Sequence, residues 1–153
     1  MATSTEKLEK TTDPAQDLTI YYDGSCPVCT IEISHYRRQI GADRLNFVDV
    51  SRADDGSLGD GLDRRTAMAR FHVRRADGTL LSGAQGFAEI WDRLPSWRWA
   101  ARLGRLPGVL ALGELLYRAF LPIRPTLSRL AARAGLQPET ARQDSAGTRP
   151  SDA

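Results

Sequence analysis

Hydrophobic and polar positions change rhythm several times along the chain, and each change marks an element. Residues 1–17 (MATSTEKLEKTTDPAQD) are polar without an apolar repeat and read as a disordered lead-in. Leu18-Thr19-Ile20-Tyr21-Tyr22 joins β-branched, aromatic and aliphatic residues in the pattern of a buried strand. Asp23-Gly24-Ser25 ends it. Pro27 suits the first position of a helix, which makes Cys26 the N-cap, and Gly41 supplies a stop. At about 100° per residue from Cys29, Ile33 lies near +40°, Tyr36 near −20°, Ile40 near +20° and Cys26 near +60°. The apolar stripe thus contains Cys29, with Cys26 at its edge by the helix mouth. This predicts a buried second thiol and a more accessible first one.

Leu45 to Val50 reads as the next strand, and Ser51 to Leu62 as a loop by composition. Asp63 suits the cap of a short helix running to about Arg70. Phe71-His72-Val73-Arg74-Arg75 alternates as a half-exposed strand, with His72 opposite Phe71 and Val73. Asp77-Gly78 signals a two-residue hairpin, returning through Thr79 to Ser82. After Gly83, residues Phe87, Ile90, Trp91 and Leu94 stand at i, i+3, i+4, i+7, one face of a helix. Two strands flanking a helix run parallel with a right-handed crossover. The two later strands form an antiparallel hairpin. The order predicts an α/β domain over residues 18–94, a mixed sheet with flanking helices.

Beyond Pro95 the pattern is helical, a C-terminal extension over residues 95–135. Ser96–Leu106 and Val109–Leu121 are parted by Pro107-Gly108, and Pro122 and Pro125 break the second segment. Thr126–Ala134 is a third short helix closed by Gly135. Leu106, Leu112, Leu116 and Phe120 are expected to pack on the domain. Residues 136–153 read as a disordered tail. Tyr21, Tyr22, Trp91, Trp97 and Trp99 read as packing residues. Trp97 and Trp99, two apart, do not share a helix face.

The chain has 153 residues, 41% hydrophobic and 26% charged, close to an ordinary soluble protein. This excludes a wholly disordered chain, a collagen and a disulfide-dense mini-protein. Leu106 to Gly113 is the longest uncharged stretch of the apolar C-terminal half, far short of the roughly 20 residues a spanning helix needs. With no signal-peptide core near the start, the expected compartment is the cytoplasm. Net charge is +2, made of −4 over the first 92 residues and +6 over the rest. The basic half is a solvated helical face or a contact surface for an acidic partner or membrane.

The two cysteines, Cys26 and Cys29, form one C-x-x-C. A loop this short makes a poor staple. Directly after a buried strand and opening a helix, the pair instead meets unsatisfied N–H groups and the positive end of the helix dipole, which favour a thiolate. The spacing lets the second sulfur reach back to the first, so one thiol can attack a disulfide and the other resolve the mixed disulfide. A half zinc site would need His35 and His72, and His35 lies on the far side of the helix. Two inert thiols are the other alternative. Asp23, three residues before Cys26, is either a turn former or a buried carboxylate that exchanges a proton with Cys29. His72 reads as a structural or surface histidine. No phosphate-binding loop, Ser–His–Asp set or nucleic-acid motif is present, and no cofactor is expected.

The segment Asp23-Gly24-Ser25-Cys26-Pro27-Val28-Cys29 resembles the signature of the DCC family of thiol–disulfide oxidoreductases, named for Asp-Cys-Cys. The likeness continues through Leu45–Asp49, Phe71-His72-Val73, Asp77-Gly78, Gly83–Leu94, Pro95-Ser96-Trp97, Leu106-Pro107-Gly108 and Tyr117-Arg118, covering roughly residues 18–121. The resemblance implies a thioredoxin-like fold with Asp23, Cys26 and Cys29 as site residues. One departure stands out. Thioredoxins place a cis-proline at the start of the third strand, and no proline lies between Pro27 and Pro95. The loop near Ala69 and Arg70 is therefore expected to differ. The function expected is thiol–disulfide exchange, Cys26 attacking and Cys29 resolving, with a disulfide substrate and a thiol reductant as partners. The alternative is a non-catalytic or redox-sensing module that docks through residues 96–134.

Overall fold

The computed structural model describes residues 16–137. The polar segments before and after, including most of the lead-in and tail, lie outside the described residues. Asp17, assigned to the lead-in, belongs to the fold: its carboxylate accepts from Arg93 Nε at 2.9 Å and pairs with Arg44.

Four strands, β1 (Leu18–Tyr22), β2 (Leu45–Asp49), β3 (His72–Arg75) and β4 (Leu80–Ser82), form one mixed sheet in the order β2-β1-β3-β4. β1 runs parallel to β2 and antiparallel to β3, and β3 antiparallel to β4. β1 is central because both its faces are apolar. Leu18, Ile20 and Tyr22 meet Ile33 and Tyr36 of α1 (Pro27–Arg37) and Ile90 of α3 (Ala84–Arg93), with Leu94 just beyond it. Tyr21 points the other way, among Val50, Leu58, Leu62 and Ala67, the last from α2 (Arg64–Ala69). Alternation along a strand supplies both contacts. This is a thioredoxin-like α/β arrangement.

Local chemistry explains the ends. Asp63 caps α2 by accepting from Thr66 N–H at 2.8 Å. The 76–78 turn has three residues, not two. Gly78 N–H bonds Arg75 O at 3.0 Å, Gly78 alone has positive φ (87°), and Arg75 N–H reaches Thr79 O at 3.0 Å. A two-residue type I′ turn would need positive φ at Asp77 as well. α1 stops at Arg37 rather than at Gly41. Arg38 and Gln39 tighten to bonds with His35 and Tyr36 carbonyls at 3.2 and 3.0 Å, which swings Ile40 off the stripe and leaves it 78% exposed.

The C-terminal region departs most from expectation. Pro95–Trp97 is a 3₁₀ turn, and only Arg98–Gly104 is α-helical (α4). Trp97 and Trp99 therefore stack, centroids 6.3 Å apart, because the winding changes between them. α5 is one helix, Val109–Arg133, running through Pro122 and Pro125. It also packs on a different face. Leu106, Leu112 and Leu116 point to solvent, and of the four expected anchors only Phe120 is half-buried. The inward face carries Gly113, Glu114, Tyr117, Leu121, Arg124 and Ser128. Glu114 accepts from Ala84 N–H at 3.3 Å at the start of α3 and from Arg70 at 2.6 Å. Tyr117 hydroxyl accepts from Phe71 N–H at 2.7 Å. The helix is held by specific polar bonds where an apolar stripe was expected. Replacing Tyr117 with Phe strands the Phe71 donor, and urea unfolding should show a loss of about 1–3 kcal/mol.

Candidate active site

The site begins where β1 ends. Asp23 accepts from Ser25 N–H at 2.9 Å and from the Ser25 hydroxyl through one carboxylate oxygen, folding residues 23–25 into a tight turn. Gly24 N–H donates to Asp49 at the end of β2, at 2.9 Å, and the same oxygen holds Ser51. A Cβ at position 24 would lie 2.1 Å from the Asp49 carboxylate, so only glycine fits between the strand ends. The turn delivers Cys26 to the N-cap of α1 with extended backbone (φ −95°, ψ 113°) and Pro27 at the first helical position.

Both cysteines are reduced, with sulfurs 2.7 Å apart. Cys26 Sγ accepts from the Cys29 thiol and from Cys29 N–H at 3.4 Å, and it lies 3.2 Å from the Ser128 hydroxyl. These donors lower its pKa to about 5, the Cys29 thiol contributing most, against the opposing effect of burial; the Arg124 charge adds to the lowering. Cys29 moves the other way, far above the ordinary thiol range. Donating its proton to Cys26 is the main cause, followed by burial and the negative charge on Cys26. Both shifts favour a thiolate on Cys26 and the proton on Cys29.

Accessibility reverses the expected pattern. Cys26 is 4% exposed and Cys29 is half-buried. The cause is α5: unbroken through its prolines, it lays Ser128 across the first sulfur. Arg124, one turn earlier, donates to Asp23 Oδ2 at 2.6 Å and lies 3.4 Å from Met68 O. A small cavity beside the pair is walled by Cys29, Asp23, Glu32, Phe71, Tyr117 and Arg124. Glu32 sits one turn along α1 from Cys29. It accepts from the Tyr36 hydroxyl at 2.9 Å, which in turn accepts from Trp91 Nε1 at 3.1 Å. Burial pushes the Glu32 carboxyl up, only partly offset by the Tyr36 bond.

The structure thus brings Asp23, Cys26 and Cys29 together. His35 packs edge-on against Trp97, and His72 is buried with Nδ1 2.7 Å from Arg70 O, its pKa lowered chiefly by burial. Glu32, Arg124 and Ser128 were not anticipated. Glu32 was legible as the i+3 neighbour of Cys29. Arg124 and Ser128 share a face with Tyr117 and Leu121, a periodicity hidden by ending the helix at Pro122. The loop before β3 carries no proline. All described peptide bonds there are trans, and Tyr117 and Arg124 reach the backbone of Phe71 and Met68 from α5.

A thioredoxin-like sheet with a C-x-x-C at the mouth of its first helix is the architecture of thiol–disulfide chemistry. Residues 20–130 match the DCC1-like thiol-disulfide oxidoreductase family, and the chain belongs to it. The chain is also similar to an uncharacterized chloroplastic protein of Arabidopsis thaliana, At5g50100, at 26% identity over 110 residues. That match covers 70% of this chain and 50% of the relative, so the chain spans about half the length of the curated relative it matches. No solved structure matches significantly.

Proposed function

We propose that this protein carries out thiol–disulfide exchange with Cys26 as nucleophile and Cys29 as resolving thiol. The observation that carries the reading is the Cys26 sulfur, which lies within hydrogen-bond distance of Cys29 Sγ, Cys29 N and the Ser128 hydroxyl, surroundings that favour its thiolate. The thiolate attacks one sulfur of a substrate disulfide, forms a Cys26 mixed disulfide and releases the other half as thiolate. Cys29 then loses its proton and attacks Cys26 Sγ. The products are the Cys26–Cys29 disulfide and the reduced substrate, and an external thiol reductant restores the dithiol. Stabilising the thiolate favours the reduced pair, which raises the reduction potential relative to an unperturbed dithiol.

Two carboxylates reach the cavity where the Cys29 proton must go. Asp23 was the expected acceptor, but its oxygens already hold Ser25 and Arg124. We assign the proton to Glu32, whose raised pKa keeps it closer to the range of a working acid–base group. Asp23 then orients Arg124 and the turn. In stopped-flow measurements with a small disulfide, Glu32→Gln should slow resolution about tenfold to a hundredfold and leave attack near wild type. If Asp23→Asn alone slows resolution, the proton role returns to Asp23.

The cover over Cys26 favours a second reading, a redox-sensing module without turnover. Steady reduction of bis(hydroxyethyl) disulfide in the presence of glutathione supports the enzyme. A single stoichiometric burst supports the sensor.

A further inference from the structure

We infer that the outward face of α4 and α5 is a docking surface for an anionic lipid bilayer. At about 100° per residue, the inward residues Tyr117, Leu121, Arg124 and Ser128 fill one sector of α5. Leu112, Leu115, Leu116, Ile123, Leu127 and Leu130 fill a second, all exposed, up to 64% at Leu115. Arg118, Arg129 and Arg133 fill the third, beside the leucines. α4 adds Trp99 and Leu103 to the apolar part, 63% and 49% exposed. A helix that turns its aliphatic residues outward, while polar bonds anchor its inner face, has an apolar surface that the described residues leave uncovered.

Charge selects the occupant. From residue 94 to 133 the chain has seven arginines and one acid. Glu114 pairs with Arg70 and Arg118, Arg124 is turned inward to Asp23 and Arg105 pairs with Asp92, which leaves the exposed Arg98, Arg102, Arg129 and Arg133 to set the outward charge. The outward surface is therefore apolar and cationic together, the combination that suits a helix lying in a bilayer interface. Arginine stems extend along apolar surface while their guanidinium groups meet lipid phosphates, and an exposed indole suits the same depth. An antiparallel two-fold contact between two copies through the leucines would instead bring the two arginine rows to the same edge. No described helix is long and apolar enough alone to cross a membrane. Pro95–Gly104 and Val109–Arg133 reach that length and hydropathy only as a pair bent by 102°, and the arginine row along α5 favours a position in the interface over a broken span. An aromatic groove bordered by Trp91, Trp97, Leu103 and Leu116 runs from this face to Glu32, which also walls the thiol cavity.

The test is flotation of the full chain with vesicles of phosphatidylcholine alone or mixed with phosphatidylglycerol. Binding to the mixed vesicles only, reversed by high salt, is expected. Leu112→Glu combined with Ile123→Glu should weaken that binding by about tenfold or more, while circular dichroism stays unchanged. Arg129→Glu combined with Arg133→Glu should also weaken it by about tenfold or more. A chain with both cysteines replaced by Ser should still float with the mixed vesicles, which separates this inference from the redox reading. Absence of flotation overturns the inference. So does equal binding to neutral vesicles, binding indifferent to the leucine and isoleucine changes, or a solution dimer that those changes dissolve.

Discussion

Cys26→Ser is expected to reduce disulfide turnover to background and to form no substrate adducts, whereas Cys29→Ser accumulates mixed disulfides through Cys26. The asymmetry follows from the shared proton. Cys26, its pKa lowered to about 5, is expected to ionise first, and Cys29, raised above the ordinary thiol range, to keep its proton at neutral pH. Alkylation of Cys26 should therefore rise about tenfold per pH unit below 5 and level off above it, whereas a free cysteine climbs until about pH 8.5. The sign for stability follows. A folded pKa below the unfolded one makes the Cys26 contribution to the reduced protein fully present above the ordinary thiol value. That contribution fades as the pH falls toward 5. Cys29→Ser leaves a hydroxyl donor in place of the thiol, so attack survives while resolution is lost. Mass analysis of trapped adducts, with alkylation rates across pH for each single-cysteine variant, measures both. Adducts on Cys29 alone, or faster alkylation of Cys29 at neutral pH, would falsify the assignment.

Arg124→Met is expected to be the most destabilising of the charge changes. The ion pair joins residues 101 positions apart at 2.6 Å, with side chains 18% and 8% exposed. Removing the guanidinium leaves the Asp23 carboxylate buried with only Ser25 as a side-chain partner. Breaking such a pair from one side costs about 3–5 kcal/mol, equivalent to a fall in Tm of roughly 6–20 °C. Asp23→Asn in the same chain should recover part of the loss, because the stranded charge is then gone. Thermal unfolding of the two single variants and the double variant measures the coupling. Additive losses would show that the pair contributes nothing as a unit. The Cys26 pKa should also rise, since the Arg124 charge is one of the effects holding it down.

What the sequence made legible was local. The strand Leu18–Tyr22, the cap at Cys26, the cap at Asp63 and the Phe87–Leu94 face all follow from periodicity and end chemistry within one element. The C-x-x-C reading needed only the strand before it and Pro27 after it. What stayed hidden depends on how α5 meets the domain. Proline argues locally for a break at 122 and 125, and tertiary bonds from Tyr117, Arg124 and Ser128 outweigh it. Leucines argue for an inward stripe, but the inward positions are occupied by groups that bond Phe71, Asp23 and Cys26. Burial of the first thiol was unreadable for the same reason, because its cover comes from 102 residues away. Glu32 needed no such contact to be found. It is a charged residue one turn after Cys29, at the edge of a face whose other members are apolar.

The two prolines inside α5 have a thermodynamic corollary. Each lacks the amide hydrogen that would close a turn, so the ladder is interrupted twice just before Ser128. The final turns of the helix depend correspondingly more on their contacts with Asp23 and Cys26 than on their own backbone. Binding equilibria are reciprocal. If Ser128 and Arg124 favour charge on the Cys26 sulfur, that charge favours, by the same free energy, the docked position of the helix. Oxidation to the disulfide removes the charge and with it that share of the hold. The end of α5 is in this sense a ligand of the thiolate, tethered covalently, whose occupancy tracks the electron count of the cysteine pair.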